Sequence, residues 1–356
     1  MRAAVVQEDP DDPTPGRAAL LAAGVPVVAL PPIGTCDPAD AVAELLERID
    51  ADPPAAVVFW NLVQSYKVLL ADLLVGAGAP RVVDVSPGEM YFTALDRYFA
   101  TARPGLPYRT PREYGGRLAA AVVKFGAEAD AARAALGCDV AVVPNGVVVP
   151  AAFPARPPND GRPLVIGTAA RLSPQKRLED LLAAVRLAHR SLPPYVLQIA
   201  GGPDGPDNEA YAADLRTHAE GLPVEWLGEV ADAGPFLAGL DLFAMISEPA
   251  GCPNASLEAM AAALPVVATD VGGAAEQVVD GVTGRLVPRG DVSALAAALV
   301  DAVADCARLA AWGRAGWQRA RERFSVERMA DDYERVLGLC GARERANDEK
   351  TVHAGV

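Results

Sequence analysis

Short runs of branched apolar residues recur along the chain, and between them lie segments whose apolar positions are spaced for one face of a helix. This alternation selects parallel α/β layers over separate blocks of helix and strand, because parallel strands must be joined by a crossover. In the first half the pattern predicts strands over 3–6, 25–30, 55–60, 81–85, 119–125 and 141–143, with helices between them, including 38–49 and 65–75. In the second half it predicts strands over 164–167, 195–200, 224–227, 242–246, 266–269 and 284–287. Leu178, Leu181, Leu182, Val185 and Ala188 fall on one helical face. Between the halves, Asn145-Gly146 is followed by Pro150, Pro154, Pro157 and Pro158, which break both element types and mark a linker. The expected organisation is an N-terminal Rossmann-like domain over 1–147, a linker over 148–161, a second Rossmann-like domain over 162–341 and a polar tail over 342–356. In such a pair of open sheets the site is expected in the cleft the domains face across, at strand C-terminal ends.

A chain of 356 residues, 51% of them hydrophobic, can build two cores. Cys36, Cys138, Cys252, Cys306 and Cys340 are scattered with no C-x-x-C pair, which points away from a zinc site or a disulfide framework and towards a reducing cytoplasm. The N-terminus turns acidic after a four-residue apolar run, and no 18-residue apolar stretch follows, so neither a signal peptide nor a membrane span is expected. A formal net charge of −14 argues against nucleic acid as a partner of the whole surface. One segment departs from that balance. Residues 97–124 carry six basic residues against one acid, Glu113, with Tyr98, Phe99, Tyr108 and Tyr114 interleaved. The readings are a pocket wall for an anionic acceptor, with Arg109 as a candidate, a membrane-facing patch, or a solvated loop and helix face.

The densest chemical signal lies over 248–288. The predicted strand ending at Ile246 runs into a Gly/Pro-rich turn and then a helix over 256–263, an arrangement that aims free backbone N–H groups at whatever sits above the turn. Gly251 permits close approach, Pro253 stiffens the turn, and Asn254 or Ser256 is expected to cap the helix. Glu258 is expected in the first helical turn, where its carboxylate can accept two hydrogen bonds from vicinal hydroxyls such as a ribose presents, or act as a capping carboxylate. A second motif, residues 167–178, delivers Arg171 from a strand end and Lys176 at a helix start. Two such cations can neutralise a diphosphate.

These stretches resemble the donor-binding signature of the retaining nucleotide-sugar glycosyltransferases of glycosyltransferase family four, which have the two-Rossmann GT-B architecture. The resemblance covers the second domain and thins in the first. It implies that Arg171 and Lys176 contact the donor diphosphate, that Glu258 fixes the ribose, and that Gly251, Cys252, Pro253, Asn254, Ala255 and Ser256 orient the sugar. By the same resemblance Gly228, Glu229 and Val230 line the nucleobase, and Gly272, Gly273 and Glu276 shape the domain. The implied donor is a UDP- or GDP-type sugar, the cofactor requirement none and the metal none, since cations and a helix N-terminus hold the diphosphate. The last helix is expected to cross back to the first domain. Asp50-Ala-Asp52 reads as a solvated turn at a helix end rather than a metal pair.

Four departures accompany the resemblance. The family's paired glutamates lie eight positions apart, but counting back from Glu258 reaches Ala250, with Glu248 two residues earlier. The first-domain histidine is missing, since His189, His218 and His353 all lie later in the chain. The turn after the fourth strand offers Asp84, Ser86, Glu89 and Tyr91 instead, as sugar or acceptor contacts or as a capped turn. The glycine-rich loop after the first strand is replaced by acids and prolines over 7–16, and Ala263 stands where a helix-ending glycine is expected. The expected function is retaining transfer of a hexose-type sugar to a small polar or anionic acceptor in secondary-metabolite or cell-envelope biosynthesis. The alternatives are a non-catalytic nucleotide-sugar-binding protein or partner subunit, and a nucleotide-sugar epimerase. Oligomeric state is left open.

Overall fold

A computed structural model describes residues 4–7, 15–30, 38–74, 79–88, 90–101, 105, 107–154, 161–248 and 251–339. Glu89, Ala250, Cys36, Cys340, His353, the tail over 342–356, most of the proline-rich segment after the first strand and residues 155–160 of the linker lie outside the described residues. The chain divides into two compact units. One is drawn from the described residues of 1–123, 128–142 and 336–356, the other from those of 124–127 and 143–335.

In the first unit β1 (Ala4–Gln7) and β2 (Val27–Leu30) form a parallel pair. A parallel four-stranded sheet follows in sequential order: β3 (Ala56–Trp60), β4 (Arg81–Val85), β5 (Ala120–Val123) and β6 (Val140–Val142). β5 is buried along its whole length, as a central parallel strand covered on both faces must be. It is shorter than predicted, because Lys124 and Phe125 already belong to the turn that leads into the 3-10 segment Gly126–Glu128. Leu70, Val82, Leu95, Val123 and Leu136 pack together in the core of this unit.

The second unit holds a six-stranded parallel sheet: β7 (Leu164–Ala169), β8 (Tyr195–Ala200), β9 (Val224–Gly228), β10 (Leu242–Met245), β11 (Val266–Thr269) and β12 (Gly284–Val287). Its spatial order is β12-β11-β10-β7-β8-β9. Counted from β7, that is the doubly wound order 3-2-1-4-5-6, with the direction of winding reversing between β7 and β10. Alternate residues of β10, with Ile246 just beyond it, feed opposite cores. Leu242, Ala244 and Ile246 join Leu178, Leu181, Leu182 and Val185 of the helix Leu178–Ala188, whereas Phe243 and Met245 join Met260 and Leu264. A period of two with both sets buried is why the strand reads in the sequence as an unbroken apolar run. All five residues assigned to the helical face starting at Leu178 are buried.

The helix expected over 256–263 runs instead over Asn254–Ala261. It ends in a Schellman turn, with Leu264 N–H donating to Ala259 O (2.9 Å) and Ala263 N–H to Met260 O (3.0 Å). Ala263 takes the left-handed conformation at φ 56° that a glycine would adopt without strain. Among the described residues no helix is long and apolar enough to cross a membrane.

Candidate functional site

The reversal point between β7 and β10 brings together loops that are far apart in sequence. Ile166 pairs with Leu242 and Gly167 with Phe243, and the space between the strands and their cover is tight, since a Cβ on Gly167 would lie 2.3 Å from a Leu240 methyl. Beyond β7 the chain presents exposed Arg171, buries Leu172, and enters the 3-10 turn Pro174–Lys176. That turn is stitched to the end of β10: Glu248 N–H donates to Gln175 O (2.8 Å) and Ser247 Oγ donates to the same oxygen (3.1 Å). Arg177, at φ 47°, begins the next helix and grips Asp180 through Nε and Nη2, both at 2.9 Å. Glu248 lies between two guanidinium groups, Arg177 at 3.5 Å and Arg289 at 3.2 Å.

Arg171 and Lys176 are therefore delivered to one place by one loop. Burial pushes the Lys176 ammonium below its usual 10.5, the nearby Arg171 charge pushes it the same way, and Asp204 opposes both. The Arg171 guanidinium is paired with Asp204, from the turn after β8. The loops after β7, β8 and β9 are laced by backbone bonds: Ala170 N–H to Ala200 O (2.9 Å), Leu172 N–H to Gly202 O (2.7 Å) and Gly201 N–H to Gly228 O (2.7 Å). Gly201 is obligatory at this crossing, because at φ 135° its backbone runs so close to Ala170 that a Cβ would sit 1.9 Å from that carbonyl oxygen. Gly228, Glu229 and Val230 follow, exposed.

The turn over 251–253 is braced from three directions. Gly273 N–H donates to Gly251 O (3.0 Å), Asn145 Nδ2 donates to Cys252 O (2.9 Å) and Asn254 Oδ1 (2.8 Å), and Gln277 Nε2 donates to Cys252 Sγ (3.0 Å) and Pro253 O (3.1 Å). Neither Asn254 nor Ser256 caps the helix: Pro253 is the N-cap residue and no side-chain cap bond is made. Ser256 Oγ instead turns inward, donating to Pro253 O (3.1 Å) and to Gln277 Oε1. The first-turn amides of this helix are thus left without a side-chain cap, and an anion can serve them. Ala255 lies in that turn, half-buried.

Because the helix starts two residues earlier than predicted, Glu258 is in its second turn, not its first, which removes the capping reading. Glu258 remains exposed, yet the surrounding protein desolvates its carboxyl enough to push it above the usual 4.5. That carboxylate accepts no hydrogen bond from any described residue. Glu276 is spent structurally, accepting from Gly126 N–H at 2.6 Å, and Arg319 donates to the Glu276 and Gln277 carbonyls at 2.6 and 2.8 Å.

In the first unit, Asp84 and Tyr91 face inward. Asp84 is 1% exposed and accepts from Lys67 Nζ (2.6 Å), Tyr114 Oη (2.9 Å) and Tyr91 Oη. The Tyr91 and Tyr114 phenols are pushed up, first by burial and then by the Asp84 charge. Ser86 is likewise buried, donating to Glu128 Oε1 and accepting from Gly88 N–H at 3.1 Å. Arg109 is exposed, its N–H donating to Glu113 at 2.6 Å, and shares an open pocket wall with Pro107, Tyr108, Glu113 and Arg117. Among the described residues no group of three or more His, Cys, Asp or Glu side chains is placed to hold a metal ion.

Sequence reasoning placed Asn145 only in a linker turn and did not single out Asp204, Gln277 or Arg289; all four brace or neighbour the site. The Asn-Gly turn was visible as a turn, but nothing in its spacing says which loop it meets.

Residues 163–305 match the family model described as glycosyl transferases group 1. The chain is 36% identical over 217 residues to alpha-maltose-1-phosphate synthase of Mycolicibacterium smegmatis, covering 54% of each. It is 37% identical over 171 residues to the GDP-mannose-dependent alpha-(1-6)-phosphatidylinositol monomannoside mannosyltransferase of the same organism, covering 44% of this chain and 42% of that one. The chain thus spans about half the length of the curated relatives it matches. Among solved structures, Anabaena Alr3699/HepE in complex with UDP-glucose superposes with a TM-score of 0.74 at 22% identity, covering 92% of this chain and 90% of that one. The doubly wound sheet, the loops at its reversal point and these likenesses agree: this is a chain of GT-B fold whose residues 163–305 match the glycosyl transferases group 1 family.

Proposed function

We propose that the chain is a glycosyltransferase that moves a hexose-type sugar from a nucleoside diphosphate sugar to a small polar acceptor with retention of anomeric configuration. The observation that carries this reading is the convergence of Arg171, Lys176 and the uncapped start of helix Asn254–Ala261 on loops at the reversal point of the second unit's sheet, with Glu258 on that same helix. Ligands of open α/β sheets bind outside strand C-termini at such a point. Two cations and a row of free amides there suit a diphosphate, and an unspent carboxylate suits the vicinal hydroxyls of a ribose. The second unit is the donor-binding part in this reading and the first the acceptor-binding part. UDP and GDP are the donor types to try first, since relatives and neighbours are described with GDP-mannose and UDP-glucose.

In the reaction the bond between the anomeric carbon and the phosphate oxygen breaks, leaving an oxocarbenium-like sugar and a nucleoside diphosphate. The acceptor hydroxyl attacks the same face, and the departing phosphate oxygen takes its proton. Arg171 and Lys176 stabilise the charge that develops on that phosphate, a role that metal ions fill in other transferases. Glu258 holds the ribose and the turn over 251–254 orients the sugar, so that the reacting atoms meet in one geometry.

Asp84, Ser86 and Tyr91 serve the acceptor side as supports of the turn after β4 rather than as contacts, because their polar atoms are buried and bonded to one another or to Lys67, Tyr114 and Glu128. Arg109, exposed on its pocket wall, is the acceptor contact of choice for an anionic group.

The test is release of nucleoside diphosphate and sugar, followed by mass spectrometry, from UDP-, GDP-, ADP- and dTDP-sugars, for wild type, Arg171→Ala and Glu258→Ala. Turnover of one donor that both changes abolish is expected; binding of no nucleotide at all would sink the assignment. A second reading, nucleotide-sugar binding without transfer, draws on Glu248. Its carboxylate is engaged by Arg177 and Arg289 and so is not free to replace the family's missing glutamate. Tight binding with no release, with candidate acceptors present, favours that reading.

A further inference from the structure

One of the two cations of the proposed diphosphate cradle is already occupied from within the protein. Asp204 is presented by a turn with little freedom: Gly201 is fixed against the Ala170 carbonyl, Gly202 O accepts from Leu172 N–H at 2.7 Å, and Asn208 Nδ2 donates to the Asp204 carbonyl oxygen at 2.7 Å. From there its carboxylate pairs with Arg171, whose side chain is 62% exposed against 40% for Asp204. An ion pair this open to water is weak and readily exchanged. Lys176 senses both partners, Arg171 as repulsion and Asp204 as attraction, so the carboxylate offsets the mutual repulsion of two cations held close together.

A carboxylate and a phosphate oxygen make the same demand on a guanidinium group, and the two compete for one fork. We infer that Asp204 is the internal counter-ion of the cradle: it holds Arg171 before the donor arrives, yields it to the diphosphate, and takes it back as the nucleoside diphosphate leaves. This rests on the reading of Arg171 and Lys176 as the diphosphate site and adds a residue that sets its affinity. Once displaced, Asp204 stays beside a ligand of its own sign. Its effect is therefore largest on the ligand with the most phosphate charge, the nucleoside diphosphate product, and absent for a nucleoside.

Asp204→Asn keeps the turn's backbone bonds and removes the charge. Calorimetric titration with UDP, GDP, ADP and dTDP, and with the matching nucleosides, compares it with wild type. A displaced surface pair predicts nucleoside diphosphate binding tightened about two- to five-fold in Asp204→Asn, a gain that shrinks as salt is raised. Nucleoside affinity and the thermal midpoint stay unchanged, and stopped-flow displacement of the bound diphosphate becomes slower. Equal or weaker diphosphate binding by the variant overturns the inference, as does a parallel change in nucleoside and diphosphate, which a purely structural role for the turn would produce. If wild type binds no nucleoside diphosphate, the donor-site reading falls and this one with it; if wild type binds and the variant matches it, this one falls alone.

Discussion

One ionisable side chain of the candidate site, Lys176, is shifted in a direction that gives the ligand a readable pH window. If Lys176 serves a diphosphate as proposed, it does so in its charged form, and burial has lowered its pKa from 10.5. Affinity is therefore expected to fall as pH rises through that lowered value. Lys176→Arg, which stays charged throughout, is expected to bind at neutral pH and to lack the alkaline loss. Reading the difference between the two proteins cancels titration of the nucleobase; identical alkaline profiles would remove Lys176 from the site. A second residue carries strain rather than charge. Ala263 sits buried in the left-handed conformation, which costs a non-glycine residue roughly 1–2 kcal/mol. Ala263→Gly relieves that cost but gives up a buried methyl worth about 0.8 kcal/mol and some unfolded-chain entropy, so the terms nearly cancel. Ala259→Gly, inside the same helix, has no strain to relieve. Urea unfolding is expected to show Ala259→Gly less stable than Ala263→Gly by about 1 kcal/mol or more; the reverse order would mean the turn carries no strain.

At the level of elements, the join between helix Gln64–Leu73 and strand β4 is a charged one: Lys67 and Asp84 are each 1% exposed, with Tyr91 and Tyr114 completing the shell. Removing one partner leaves an uncompensated buried charge, and Lys67→Met is expected to cost about 3–5 kcal/mol. Lys67→Met with Asp84→Leu removes both charges and is expected to recover much of that loss, as chemical denaturation would show; additive losses would mean that the phenols alone sustain the aspartate. None of this was legible in the sequence. Asp84 reads there as a polar residue at a strand end, and β4 gives no sign that this side chain turns towards a lysine one element earlier. The strands themselves were legible, since runs such as Val266–Thr269, apolar on both faces, have few alternatives. The helix after β10 was legible as a helix but not in its start, because the N-cap is a proline that makes no side-chain bond and the polar residues that look like caps are used elsewhere. The cations Arg171 and Lys176 were found through a motif with a phosphate rationale, whereas Arg289 and Asp204 sit in turns whose meeting points only the folded chain reveals.

For the whole molecule, the same reading predicts where a nucleotide is felt. A ligand that binds the folded state at a hundred times its Kd adds about 2.7 kcal/mol of stability. With a nucleoside diphosphate present, hydrogen exchange is expected to slow over the segments 170–177, 201–205 and 247–258 of the second unit, while the sheet β3-β4-β5-β6 of the first keeps its rates. Protection centred on the first unit would relocate the site. The strand order carries one more consequence, for the way this protein comes into being. Because β7 lies beside β10, Ile166 must wait for Leu242 before the two can pair, and β8 and β9 are synthesised in the interval. On the ribosome the nascent chain can therefore build β7-β8-β9 as a half-sheet with one apolar flank open, and that flank closes only when β10 emerges. The loops on either side of the reversal point are born apart, so a chain stalled before residue 242 has Arg171 and Lys176 but not the helix Asn254–Ala261 proposed to complete their site.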